Sequence, residues 1–213
     1  MHRTSYRVLT LVEALALTAY IAWYIWRLQA THPNSWIVFP LWLVASFLVH
    51  RDTPKTLGWR ADNLWPATRQ GLPIFALFVF AGIATGLWFG AFRNLPPRLI
   101  QLRHVLNYTA FCLLQQVALN SYMTNRLLLV FDGKMPAAFA AAAVFAALHW
   151  PNPVLVPLTF LGGLVMSWLF ALERNILPLA AGQAVVGTLV WWALPMAWHH
   201  GMRVGPGYYT FHF

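Results

Sequence analysis

The chain is 213 residues long, 60% hydrophobic and 9% charged, with 12 Trp, 15 Phe and 7 Tyr. Soluble globular domains carry about 25% charged residues, so the composition excludes that class and fits a single integral-membrane domain over residues 1–213, an all-α polytopic bundle of transmembrane helices with the lipid bilayer as its partner. The formal net charge of +9 sits in short loops between apolar runs, as the positive-inside rule describes, and no basic helix, zinc knuckle or RNA-binding pattern supports nucleic acid as a partner.

Apolar runs able to cross about 30 Å of hydrocarbon predict about seven spans, near 8–28, 35–50, 71–91, 105–130, 135–150, 154–171 and 175–198. The opening "MHRTSYRVLTLVEALALTAYIAWYIWRL" has the basic start of a signal peptide (His2, Arg3, Arg7). Its apolar run is too long for one, however, contains Glu13 and lacks a small-x-small cleavage site, so it reads as a retained first span. Residues 51–70, which mix charges with Trp59 and Trp65, predict a short helix lying at the membrane interface. Residues 92–104 start at a Pro-Pro break, set Arg98 and Arg103 around an apolar centre, and predict a second interfacial segment. "AAFAAAAVFAA" at 137–147 predicts a helix built for close packing. Pro151 and Pro153 of "HWPNP" cannot continue it, so it forms a tight hairpin with the next span. The Gly- and aromatic-rich tail, "HHGMRVGPGYYTFHF", predicts a surface cap. The single cysteine, Cys112, excludes an intrachain disulfide and a Cys-rich zinc site and reads as a small buried thiol.

Seven spans put the termini on opposite sides. The N-terminal segment and even-numbered loops hold Arg3, Arg7, Arg51, Lys55, Arg60, Arg69, Arg126, Lys134 and Arg174; the other side holds Arg27, Arg93, Arg98, Arg103 and Arg203. The bias predicts a cytoplasmic N-terminus in a bacterial plasma membrane.

Polar side chains inside spans are rare and usually face the bundle interior. Here they are Glu13, Gln115, Gln116, Asn120, His149 and Gln183. Glu13 has no partner evident from sequence and is assigned a structural role. A single amide serves as interhelical glue at about 0.6 kcal/mol per contact. Adjacent Gln115 and Gln116, with Asn120 one turn on from Gln116, instead predict the lining of a polar cavity. His149, at the end of the fifth span and four residues after Phe145, reads alone as a hydrogen-bonding residue. Gln183, among Ala180, Ala181 and Gly182, reads alone as a packing amide, with Gly187 on the same face.

Taken together, "QQVALN" on the fourth span, "FAALH" on the fifth and "QAVVG" on the seventh resemble the three motifs of the CAAX-protease and bacteriocin-processing (CPBP, or Abi) family of intramembrane proteases: E-E-x-x-x-R, F-x-x-x-H and H-x-x-x-N. "TLGW" before the third span and "TFLGGLVMSWLF" in the sixth are similar as well, so the resemblance covers about residues 55–190. It identifies a divergent branch with QQ in place of the paired glutamates and implies a CAAX-protease-like fold. Carried over by position, Gln115 and Gln116 stand where the acids would be and Asn120 for the arginine. His149 stands for the first histidine, Gln183 for the second and Gly187 for the asparagine. The implied activity is hydrolysis of a peptide bond within the membrane, and the implied partner is a transmembrane or lipidated peptide.

The substitutions bear directly on that chemistry. A glutamine amide cannot take a proton from water or bind a cation well. Zinc, the divalent metal that the resemblance brings with it, normally uses three protein ligands in a catalytic site, and His149 is the one plausible ligand retained, so the ligand set argues against a metal. Two readings follow: an endopeptidase-like protein with a degenerate site in which His149 acts as base, aided by Glu13 or by His199, His200 or His212 of the tail; or an inactive pseudoprotease that binds or scaffolds. A small transporter is the weakest reading, because the chain has neither an inverted repeat nor charged pathway residues.

Overall fold

The computed structural model describes residues 3–94 and 97–211, without the side chains of residues 3, 93 and 94. His2, His212 and the side chains of Arg3 and Arg93 therefore lie outside the described residues. The described chain is helical, and no strand is present in it. Helix α1 is Arg3–Trp23 and runs on through a π turn, Tyr24–Leu28, to Thr31. A 3₁₀ turn leads into α2, Val38–Val49; α3 is Leu64–Trp88. Helix α4 is the longest run: Arg98–Gln116, a π-helical stretch Val117–Thr124, then Asn125–Val130 without a break. Next come α5 (Lys134–Ala147), α6 (Leu155–Glu173) and α7 (Ile176–Ala193), followed by two single turns, α8 (Met196–His199) and α9 (Pro206–Tyr209). Thr4–Thr31, Leu64–Trp88, Leu155–Glu173 and Ile176–Ala193 are long and apolar enough to cross a membrane. The segments Pro33–Val49 and Lys134–Ala147 are apolar but shorter. Helix α4 is absent from both groups because amides and hydroxyls interrupt its apolar residues.

The helix ends follow local chemistry. Asn175 caps α7 by accepting from the Leu177 amide at 3.1 Å. Arg174, in the left-handed region, stops α6. Asn152 holds the α5–α6 turn, accepting from the amides of Val154 and Leu155 and donating to the carbonyls of His199 and Arg203. The tail thus folds over that turn and is fastened to it. Within the α5–α6 hairpin, Ala137, Ala138, Ala141 and Ala142 are fully buried, and a side chain at Gly163 would press on Ala142. Many large apolar side chains face outward, among them Val49, Trp88 and Leu99, as a lipid-facing surface requires.

Successive helices run between two ends. At the N-terminal end, Arg7 pairs with Asp132, Tyr6 meets His50, and Asn63 donates to Glu173. At the other end, Phe89 contacts Trp198 and the Gly205 amide donates to the Trp150 carbonyl.

Three sequence expectations need correction, and Glu13, assigned a structural role from sequence, finds its partners. Residues 51–63 form no interfacial helix. They fold as turns against the bundle, and Trp65 already belongs to α3. The carbonyls of Thr56, Leu57, Gly58 and Arg60 accept from Asn125, Ser121, the Ile176 amide and Asn175 respectively, so the backbone of this loop satisfies polar groups of α4 and α7. Arg98 and Arg103 form no segment of their own: α4 begins at Arg98, immediately after Pro97, and Arg103 lies in its second turn. Glu13 is not without partners. It accepts from Ser46 Oγ at 2.5 Å, meets His50 Nε2 at 2.7 Å, and lies 3.6 Å from Arg126. Arg126, counted above with the loop charges, is 1% exposed inside α4. It pairs with Asp52 at 2.6 Å and donates to Ser46 at 2.8 Å.

Two outcomes test this packing. Removing one partner of a buried ion pair costs about 3–5 kcal/mol, so Arg126→Ala should lower the thermal unfolding midpoint in detergent sharply, and Arg126→Lys should lower it less. Gly58 adopts φ +83 with Phe170 2.7 Å from the position of an added Cβ. Gly58→Ala should therefore cost about 1–3 kcal/mol, read in the same unfolding assay.

Candidate functional site

The π stretch of α4 lies at the centre of the bundle. Wide π turns recur at functional sites, and here every residue from Leu119 to Thr124 is buried. Gln115 and Gln116 precede this stretch, and Asn120 and Thr124 follow at intervals of four. Helix α7 brings Gln183 across from them, because Gly182 leaves room for Phe75 of α3 beside it.

These side chains form one directional chain of hydrogen bonds. Thr124 Oγ1 donates to Asn120 Oδ1 at 3.0 Å. Asn120 Nδ2 donates to Gln116 Oε1 at 2.5 Å. Gln116 Nε2 donates to Gln183 Oε1 at 2.7 Å and to Met166 Sδ at 2.8 Å. Gln183 Nε2 donates to Gln115 Oε1 at 2.6 Å. Thr124 Oγ1 also lies 3.1 Å from Ser167 Oγ on α6. Every amide carbonyl in the chain accepts from another member, and the aligned dipoles strengthen one another in a low-dielectric interior. No carboxylate takes part.

Gln115, Gln183 and His149 line one cavity of about 810 Å³, which extends from the amide chain to Trp36, Met202 and Val204 at the end away from the N-terminus. Gln116 and Asn120 lie behind its wall, fully buried. Among the described residues the lining contains no Lys, Arg, Asp or Glu. His149 stands apart from the amide chain. Its Nδ1 lies 2.6 Å from the Phe145 carbonyl, and its ring meets the Phe145 ring edge-on, 4.7 Å between centroids. A carbonyl can only accept, so Nδ1 carries the proton and Nε2 the lone pair.

The structure thus joins Gln115, Gln116, Asn120 and Gln183 directly and sets His149 on the same cavity without a bond to them. Gly187 also lines the cavity, but the space of a side chain there is filled by the Tyr108 hydroxyl. Glu13 is tied to Arg126 and takes no part in the amide chain. His199 is buried against Trp191, and His200 stacks on Tyr208. Sequence reasoning missed Tyr108 and His104, which line the cavity from the first half of α4: His104 was placed in the segment ahead of the fourth span, and Tyr108, inside that span, has no amide or charge to single it out. Thr124, Met166 and Ser167 were missed as well; in sequence they look like ordinary packing residues. No group of three His, Cys, Asp or Glu side chains able to hold a metal gathers among the described residues.

No family model matches the sequence, and neither a curated protein nor a solved structure matches the chain.

Gln116 is the junction of the amide chain. Gln116→Leu leaves Asn120 Nδ2 and Gln183 Oε1 unpaired in a buried site, at about 1–3 kcal/mol each. The expected result is a larger loss of thermal stability than for Gln115→Leu, whose partner loss is a single Gln183 N–H at the cavity wall.

Proposed function

We propose that this chain is a seven-span membrane protein of CAAX-protease-like architecture, a divergent CPBP member with its N-terminus in the cytoplasm of a bacterial cell, whose cavity binds a lipid-modified peptide by its lipid chain without cleaving the peptide. Support for the span number comes from the alternation of seven helices between two ends, with the apolar outer surface around them. The carrying observation for binding over hydrolysis is the amide chain. Where the resemblance implies an acid and the second histidine, Gln116 and Gln183 use their carbonyls and NH₂ groups on each other and on their neighbours. Such a centre holds its shape but has no group to take a proton from water.

One observation favours the second reading, a slow endopeptidase. His149 lines the cavity and, with Nδ1 engaged by the Phe145 carbonyl, is in the tautomer that leaves the Nε2 lone pair a general base needs.

The two readings separate in one experiment. Protein purified in nanodiscs is assayed for metal content, for saturable binding of a fluorescent farnesylated peptide, and for cleavage of prenylated and transmembrane peptides over hours. Saturable binding with peptides recovered intact is expected. A cleavage product that disappears in His149→Ala would establish the hydrolase and overturn the binding reading.

A further inference from the structure

The wall chemistry of the cavity narrows its ligand, on the premise that the cavity is a binding site. Three observations act together. First, the chain carries a formal net charge of +9, yet none of the described residues lining the cavity is Lys, Arg, Asp or Glu. A carboxylate, phosphate or ammonium group entering it would lose its hydration with no counter-charge, at a cost of several kcal/mol. Second, the polar groups are asymmetric. Gln115 accepts from Gln183 through Oε1 and retains its NH₂ as a donor. His149, protonated on Nδ1, retains Nε2 as an acceptor. Gln183, on the same wall, uses one N–H on Gln115 and keeps the other as a donor, while Gln116 spends both of its N–H groups on Gln183 and Met166. Third, the volume of about 810 Å³ falls within the range of small-molecule sites, roughly 300–1,000 Å³. It is far smaller than a transmembrane helix, which is about 30 Å long and 10–12 Å wide.

We infer that the cavity takes a single long hydrocarbon chain ending in a neutral carboxamide, with the ligand carbonyl accepting from Gln115 and the ligand N–H donating to His149. An uncharged amide supplies an acceptor for the Gln115 N–H and a donor for the imidazole without bringing a charge to a wall that has none to meet it. The apolar chain then runs along Leu17, Phe39, Val144 and Val165. A free carboxylate fits poorly: it has no donor for His149 and no cation to meet. Trp36 and Trp191 line the same space, so occupancy is readable by their fluorescence.

The experiment uses the full chain in nanodiscs, titrated with N-oleoylethanolamine, with oleate at pH 9, and with octadecene. The amide is expected to bind saturably and at least tenfold more tightly than oleate. Gln115→Leu and His149→Phe should each weaken the amide at least fivefold and leave octadecene unchanged. Gln115→Glu, which keeps the side-chain shape, should also lose the amide preference, and an unchanged thermal midpoint certifies its fold. Oleate binding as tight as the amide, or amide affinity unmoved by all three variants, overturns the inference. If none of the three chains binds while the farnesylated peptide still does, the inference fails and the peptide-binding reading stands. If the peptide fails as well, both fall.

Discussion

The buried guanidinium of Arg126 is the constraint on which the rest of the bundle rests. An isolated charge in such an interior is prohibitively costly, so the fold has to deliver partners to it. It does so from three directions: Glu13 on α1, Ser46 on α2, and Asp52 just beyond α2. The rings of Tyr122 and Phe47 cover the cation at 5.4 and 5.9 Å. This cluster gathers α1, α2 and α4 at the N-terminal end, and the 51–63 loop seals the same end with its carbonyls. The first half of α4 packs chiefly on α7 and presents His104 and Tyr108 to the cavity.

The amide chain answers a different electrostatic problem in the same helix. Two adjacent carboxylates would have to be protonated, paired or metal-bound to remain in this environment. Amides need only hydrogen-bond partners, and each can both donate and accept. Thr124, Asn120, Gln116, Gln183 and Gln115 therefore build a polar centre without net charge, spanning α4 and α7 and touching α6 through Met166 and Ser167. Such a centre takes up neither cations nor protons readily.

Much of this was legible in sequence because apolar length and proline position are local signals. The seven helical stretches, the α5–α6 hairpin of small residues and the inward amides all follow from residues near one another in the chain. What was not legible depends on contacts across the chain. Glu13 has no partner in its own segment; Ser46, His50 and Arg126 reach it only once α1, α2 and α4 assemble. The 51–63 loop was misread because Trp and charged residues suit an interface as well as a folded plug. What decides between them is the need of Ser121, Asn125 and Asn175 for carbonyls. The π stretch has no sequence signature at all; it is visible only as backbone geometry.

The packing of Tyr108 against Gly187 has a consequence for how such a chain can change over time. The end of the Tyr108 ring occupies the volume that any side chain at 187 would need, so a residue larger than glycine there obliges that ring to move. The two positions form a single heritable choice, although they stand on different helices. One state places an aromatic hydroxyl from α4 in the cavity wall; the other returns that volume to a side chain from α7. A lineage that replaces the glycine therefore also has to repack or replace the tyrosine.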